Sequence, residues 1–349
     1  MSGPGTASRF TVAGDDPFII AEIGVNHDGR LERALELVHS AASAGADAVK
    51  FQWFDPRELL SSSASLVAYQ REAGESDPYQ MLSRLQLSSD DMARLISCAR
   101  GLDLQSIVTV FTPHLVGKAM ELSWDILKTA SPDLINRPLL EAVDGTGLPL
   151  LVSTGGSTLH EIQESLSWIT TNEPGLLHCV SSYPTADQDA SLGAIRVLGE
   201  TTGLPVGYSD HTTALETGGL AVAAGATILE KHITWDRKAK GPDHSSSMEP
   251  DDFSRYVAFA RRARQMVGGF EKSVAPSERA VIAASRQSVS ALIDIPEGTV
   301  LQRKHLSTMR PGNGVPPAQL DSLVGLRVLR TVTSGSLISY EDLQSESDS

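Results

Sequence analysis

The segment PVGYSDHTTALETGGLAVAAGATILEKHIT, residues 205–234, holds one complete structural repeat. A short apolar run, PVGYSD, leads into an Ala-, Leu- and Gly-rich stretch of helical period and then into a second run, TILEKHIT. Working outward, the same alternation extends back to Phe18 through FIIAEIG, DAVKFQ, IVTVFT, DILKTA, PLLVSTG and LLHCVSS. Together these make eight βα units, the number that a closed (β/α)8 TIM barrel requires, with a doubly wound open sheet as the alternative. The runs are nearly continuous in apolar residues, as expected of parallel strands covered on both faces. The small residues of GLAVAAGA, 219–226, fit close packing of a helix on the barrel.

Beyond the repeats, residues 52–88 form a longer excursion expected to decorate the barrel rim as a lid. The barrel domain is expected to span 1–268. A Pro-, Ser- and charge-bearing linker follows over 269–284, and a small β-rich module over 285–349, whose short apolar pieces are punctuated by PEG, RPGNGVPP and SGS. The ends, MSGPGTAS and QSESDS, read as disordered. Lys and Arg number 29 against 43 Asp and Glu, a net charge of -14 that disfavours nucleic acid and anionic membrane as partners. With only Cys98 and Cys179, and no apolar signal core after Met1, a reduced, cytoplasmic protein is the economical expectation.

In a parallel barrel the active site gathers at the carboxyl ends of the strands. Polar residues stand there in every unit: Glu22; Lys50 and Gln52; Thr112; Lys128 and Ser131; Ser153; Ser181 and Tyr183; Ser209 and His211; Glu230 and His232. Side chains alternate along a strand, so Lys50 with Gln52, Ser209 with His211, and Glu230 with His232 can each point inward together. One lysine or glutamate in an apolar strand is ordinarily half of a structural ion pair. Several at one barrel end point instead to an anion site, with Lys50 and Lys128 as point charges for phosphate or carboxylate, or to an imine-forming lysine. His211 and His232 suit a divalent metal with open positions for substrate oxygens. His27 and Asp28 read as a turn, His178 and Cys179 as barrel filling, and Asp243 and His244 as part of a loop able to fold over the barrel mouth.

Taken in order, FIIAEIGVNHDG, GADAVKFQ, FTP, KTASPDLIN, STGG, LLHCVSSYPT, GYSDHT, ILEKHIT, GPDH and RPGNG resemble the sialic acid (N-acetylneuraminate) synthase family, with its legionaminate, pseudaminate and spore-coat-polysaccharide relatives. The resemblance implies a TIM barrel followed by an antifreeze-like (SAF) domain, in a domain-swapped homodimer whose small domains cap the partner barrels. It implies condensation of phosphoenolpyruvate with the aldehyde of an N-acyl amino sugar, assisted by manganese or magnesium on His211 and His232. Water adds at C2 and phosphate leaves. By resemblance, Lys50 and Lys128 bind phosphoenolpyruvate, with Gln52, Ser131, Ser153 and Ser209 as hydrogen-bonding companions. Glu22 stands near the reacting carbons, Glu230 lies beside the metal, Tyr183 and Asp243 take sugar-side positions, and Arg310 reaches the N-acyl group.

The chain departs from the N-acetylneuraminate pattern at Ser181, at Asp133 in SPD, and at Gly156. Shorter side chains facing the pocket would favour a bulkier acceptor than N-acetylmannosamine. Two other functional classes are compatible with the residues: a Schiff-base pyruvate aldolase using Lys128, and a non-catalytic sugar-binding protein.

Overall fold

The computed structural model describes residues 16–269 and 271–344; the readings made on residues 1–8 and on the tail beyond Gln344 lie outside them. Eight parallel strands close a barrel in sequence order: β1 (Phe18–Gly24), β2 (Ala48–Trp53), β3 (Gln105–Val110), β4 (Ile126–Thr129), β5 (Leu150–Ser153), β6 (Gly175–Cys179), β7 (Val206–Asp210) and β8 (Ile228–His232). Closure comes from pairing of β8 with β1, in a register that sets Glu22 opposite His232.

Strand alternation sorts the side chains into a channel and an outer face. Phe18, Ile20, Ala48, Ile107, Ile126, Leu151, Leu177 and Ile228 fill the channel as one apolar plug. Two residues further along the same strands stand Glu22, Lys50, Thr109, Lys128, Ser153, Cys179 and Glu230, joined by Ser209, all lining one cavity above the plug. The out-of-phase residues, such as Ile19, Ala21, Val49, Phe51 and Val108, pack on a helical shell that includes Leu37 and Val38 of helix Leu31–Ser43 and Leu95 and Ile96 of helix Ser89–Gly101. Each Leu or Ile buried this way is worth about 1.5–3 kcal/mol. The plug narrows at β7, where a Cβ on Gly207 would lie 2.4 Å from the Ile228 carbonyl oxygen and 2.7 Å from Leu177.

The small residues after β7 do more than approach the barrel. A Cβ on Gly218 would lie 2.4 Å from the Tyr256 ring and one on Gly219 would lie 2.3 Å from Phe259, so helix Thr217–Ala223 lies against helix Pro250–Val267. The excursion of residues 52–88 folds into helices Pro56–Leu59, Ala68–Glu72 and Pro78–Leu85.

The chain divides into two compact units at Gly268 and Gly269. The segment expected as a linker holds a 3-10 turn, Pro276–Glu278, and a helix, Arg279–Ser285. The second unit has its own core, including Val289, Ile295, Leu301, Val315, Val328 and Ile338. Its regular sheet is smaller than the sequence suggests. Antiparallel β9 (Ser288–Ala291) and β10 (Leu306–Met309) are joined by isolated bridges such as Ile295–Val332 and Val328–Leu343, because the turn segments leave no room for longer strands. Among the described residues no helix is long and apolar enough to cross a membrane.

Gly207→Val should destabilise the protein by about 1–3 kcal/mol or more, since the plug has no space for the added carbons. Gly199→Ala, where the nearest atom to the new Cβ is 3.8 Å away, should be neutral or stabilising by up to ~1 kcal/mol. Chemical denaturation of both variants against the parent protein checks the contrast.

Candidate active site

The cavity above the plug has a volume of about 260 Å³. At its floor Lys50 Nζ lies 2.8 Å from Glu22 Oε2 and 3.6 Å from Glu230 Oε1, and Lys128 Nζ lies 3.4 Å from the same Glu230 oxygen. All four side chains are buried. Lys50 also donates to Thr109 Oγ1 at 3.1 Å, Gln52 Nε2 to Glu22 Oε1 at 2.8 Å, and Ser209 Oγ to Glu230 Oε1 at 2.9 Å. Burial pulls the Lys50 ammonium down, but Glu22 and Glu230 outweigh it and hold Lys50 above the ordinary lysine value. Lys128 is pushed below that value by burial, against the attraction of Glu230. Burial raises the Glu22 carboxyl, only partly opposed by Lys50, whereas for Glu230 the two lysines overcome burial and hold it down. Two carboxyls on one floor thus have opposite proton affinities, the separation that acid–base chemistry needs.

Gly24 shapes this floor from the end of β1. Its φ of +54° suits glycine, and a Cβ there would lie 3.1 Å from Glu22 Oε1 and 3.2 Å from Gln52 Nε2.

His211 and His232 stand beside the quartet with ring centroids 5.7 Å apart. Burial lowers His211 to about 4, even though its Nδ1–H donates to the Val180 carbonyl at 2.8 Å; its Nε2 therefore keeps a bare lone pair. Burial and the neighbouring His211 hold His232 well below the usual histidine value, and its buried Nδ1 has no hydrogen-bond partner among the described residues. Neutral imidazoles with free lone pairs are the form a divalent cation needs. Among the described residues no three His, Cys, Asp or Glu side chains converge as a ready-made cage, so two imidazoles would be a partial ligand set completed by water or substrate. Asp243, with Oδ2 3.8 Å from His232 Nδ1, is raised to about 6 by burial and by Glu22. The Tyr183 ring lies 4.2 Å from that of His211.

The loops above β1 and β8 are clipped together. Asn26 Nδ2 donates to the Ile233 carbonyl at 2.9 Å and to Ser247 Oγ at 2.8 Å. His244 Nε2 meets Asp28 Oδ1 at 3.0 Å, and Arg33 stacks 3.8 Å over the Trp235 ring. Asn26 and Asp28 therefore do more than turn the chain: they hold the loop that presents Asp243, whereas His27 accepts from Gly29 N within the turn.

Of the residues singled out from the sequence, Glu22, Lys50, Gln52, Lys128, Ser131, Ser153, Ser181, Tyr183, Ser209, His211, Glu230, His232 and Asp243 line this one cavity. Thr112 does not. It caps the helix that follows β3, accepting from Leu115 N, and donates to Glu58. The strand's cavity residues are Thr109 and Phe111, which are in phase with the channel where Thr112 is not. Asp133 sits in a 3-10 turn and accepts from Asn136 Nδ2, off the cavity. Gly156, with φ +71°, also stands off it; of the departures, Ser181 and Pro132, the middle residue of SPD, face the site. Arg310 belongs to the second unit. Cys179, taken as filling, lines the cavity with Sγ 2.9 Å from Ser131 Oγ. Asp210 points out of the channel and pairs with Lys231 at 3.3 Å, both fully buried; Lys231 also donates to the Thr212 carbonyl. This staple sits behind the β7 and β8 ends that carry His211 and His232.

Removing one partner of that staple leaves a buried charge, so Lys231→Met should cost about 3–5 kcal/mol, and a Lys231→Met/Asp210→Leu double variant should recover most of it in denaturation. Burial also holds His27 down to about 4, like His211. Both remain neutral in the fold while the unfolded chain takes up protons. Stability is therefore complete above about pH 6.5 and falls as pH drops toward 4, and thermal unfolding of His27→Asn should show a shallower fall.

A sequence model of the NeuB family matches residues 37–272, and one of the SAF domain matches 286–344. The N,N'-diacetyllegionaminic acid synthase of Legionella pneumophila is 35% identical over 94% of this chain and 94% of its own. The human N-acetylneuraminate-9-phosphate synthase is 33% identical over 95% and 94%. The crystal structure of the N-acetylneuraminic acid synthetase of Leptospira borgpetersenii, in complex with citrate, superposes with a TM-score of 0.72 at 34% identity, covering 81% of this chain and 96% of that one. The charged floor and paired histidines thus sit on a scaffold shared with named synthases along nearly its whole length, and the chain belongs to the NeuB family.

Proposed function

We propose that the chain condenses phosphoenolpyruvate with the open-chain aldehyde of an N-acyl amino sugar, giving a nonulosonic 2-keto acid and inorganic phosphate. The carrying observation is the buried quartet of Lys50, Lys128, Glu22 and Glu230 beside two neutral imidazoles in one cavity. In this reading Lys50 and Lys128 turn from their carboxylates to the carboxylate and phosphate of phosphoenolpyruvate. Ser153 Oγ, buried and without a hydrogen-bond partner among the described residues, supplies a further bond, as do Ser131, Ser209 and Gln52. C3 of phosphoenolpyruvate attacks the aldehyde carbon, water adds at C2, and cleavage of the C2–O bond releases phosphate. Glu22, whose proton affinity is raised, exchanges protons beside the reacting carbons. His211 and His232 would hold a divalent ion, manganese or magnesium, which when bound supplies Lewis-acid polarisation of the aldehyde oxygen. Ser181, Tyr183 and Asp243 face the sugar. The resemblance adds Arg310 at the N-acyl group in a homodimer, and the free thiols of Cys98 and Cys179 suit a reducing, cytoplasmic setting.

One observation favours a second reading: burial depresses Lys128, as imine formation requires. A single set of experiments separates the two. The condensing reading expects phosphate release from phosphoenolpyruvate only with an amino sugar, loss of release with EDTA, recovery with manganese or magnesium, and a keto-acid product by mass spectrometry. Borohydride with pyruvate should leave the protein mass unchanged; a covalent adduct on Lys128, without phosphate release, would establish the aldolase instead.

A further inference from the structure

Three consecutive strands converge on one hydroxyl at the edge of the charged floor. Ser131 opens the 3-10 turn after β4, Gly155 lies in the loop after β5, and Cys179 ends β6. The Gly155 N–H donates to Ser131 Oγ at 3.1 Å, and Cys179 Sγ lies 2.9 Å from the same oxygen. Ser131 and Cys179 line the cavity, and Gly155 is buried against them. The approach leaves no room for a side chain on the loop: a Cβ on Gly155 would lie 2.6 Å from Cys179 Sγ, 2.6 Å from Ser181 Oγ and 2.8 Å from Ser131 Oγ. The glycine is needed there for space and not for a left-handed backbone.

A serine hydroxyl has one hydrogen to give and two lone pairs to fill. The Gly155 N–H can only donate, so it occupies one lone pair of Ser131. The contact with Cys179 can run in either direction. If the hydroxyl donates, its hydrogen is spent on sulfur, a weak acceptor, and is not offered to an anion in the cavity. If the thiol donates, both lone pairs of Ser131 are filled and the hydroxyl hydrogen is left for that anion. Burial holds the Cys179 thiol above its ordinary value, against the pull of Ser131 and Lys128, so the sulfur keeps the hydrogen that the second arrangement needs. An anionic oxygen is also a far better acceptor than sulfur, and its arrival selects the chain from S–H to O–H to anion, in which each bond polarises the next.

We propose, resting on the condensing reading above, that Cys179 is a positioning residue for phosphoenolpyruvate: with the Gly155 N–H, its thiol fixes the Ser131 hydroxyl so that the hydroxyl hydrogen points at an anionic oxygen of that substrate. Cys179 acts through Ser131 and not as a nucleophile, since a buried, protonated thiol is inert.

The test is calorimetric titration of the full chain with phosphoenolpyruvate in the presence of manganese and without an acceptor, so that the identity of the sugar does not enter. Ser131→Ala should weaken binding by about ten-fold or more, the scale of a hydrogen bond to a charged group, and Cys179→Ala by about three- to ten-fold. Cys179→Ser restores a donor and should stay within about two-fold of the parent protein. The deciding measurement is the double variant Ser131→Ala/Cys179→Ala, which should bind no more weakly than Ser131→Ala alone, because without the hydroxyl the thiol has nothing to position. Additive losses, or a loss in Cys179→Ser equal to that in Cys179→Ala, would show that Cys179 only fills space and would overturn the proposal. Unchanged affinity in either single alanine variant would do the same. Should Cys179→Ala fail to fold, Cys179→Val, which fills the site and cannot donate, takes its place in the cycle. Each of these outcomes leaves the condensing reading intact as long as the parent protein binds phosphoenolpyruvate; absence of binding by the parent would overturn both.

Discussion

Closing eight parallel strands sends every second side chain into one channel, and everything in that channel is buried whatever its chemistry. The inward positions at the base of the channel are occupied here by Phe18, Ile20, Ala48, Ile107, Ile126 and their neighbours, which make the barrel self-supporting. The next positions hold Glu22, Lys50, Lys128 and Glu230, which the closure forces out of water and therefore onto each other. The ion pairs follow from the geometry of the barrel, and so do the altered proton affinities. The same four groups would be unremarkable solvated charges on an open surface.

Much of this was legible in the sequence because the strand period is two. The eight runs, their order and the inward pairing of Lys50 with Gln52 and Glu230 with His232 all follow from apolar periodicity, and the structure has each of these features. The polar residue nearest the end of a run is not always the one in phase with the channel. Thr112, at the end of its run, donates to Glu58 beyond the strand, whereas Thr109, in phase with the plug, reaches Lys50 in the cavity. Cys179, two residues beyond Leu177 of the plug, carried the same phase signal.

The apolar part of the cavity lining, Met81, Leu82 and Leu85, was not legible by any period. Met81, Leu82 and Leu85 lie on a helix of an excursion whose direction over the barrel depends on tertiary packing against Val25 and Phe54. The second unit shows a similar limit: a core assembled from many short pieces leaves a weaker periodic trace than one built on long strands.

The seam between β1 and β8 also bears on the order of assembly. It joins Glu22 to His232 across nearly the whole first unit, and Asn26 and Asp28 to the loop beyond. During synthesis β1 emerges first and β8 last of the barrel strands, so Lys50 and Glu22 exist for most of that interval without Glu230 or either histidine. No partial barrel contains the site. Completion of the channel and completion of the chemistry are therefore one event, reached only through the most distant contacts in the unit, the kind that form slowly because their loop must close first.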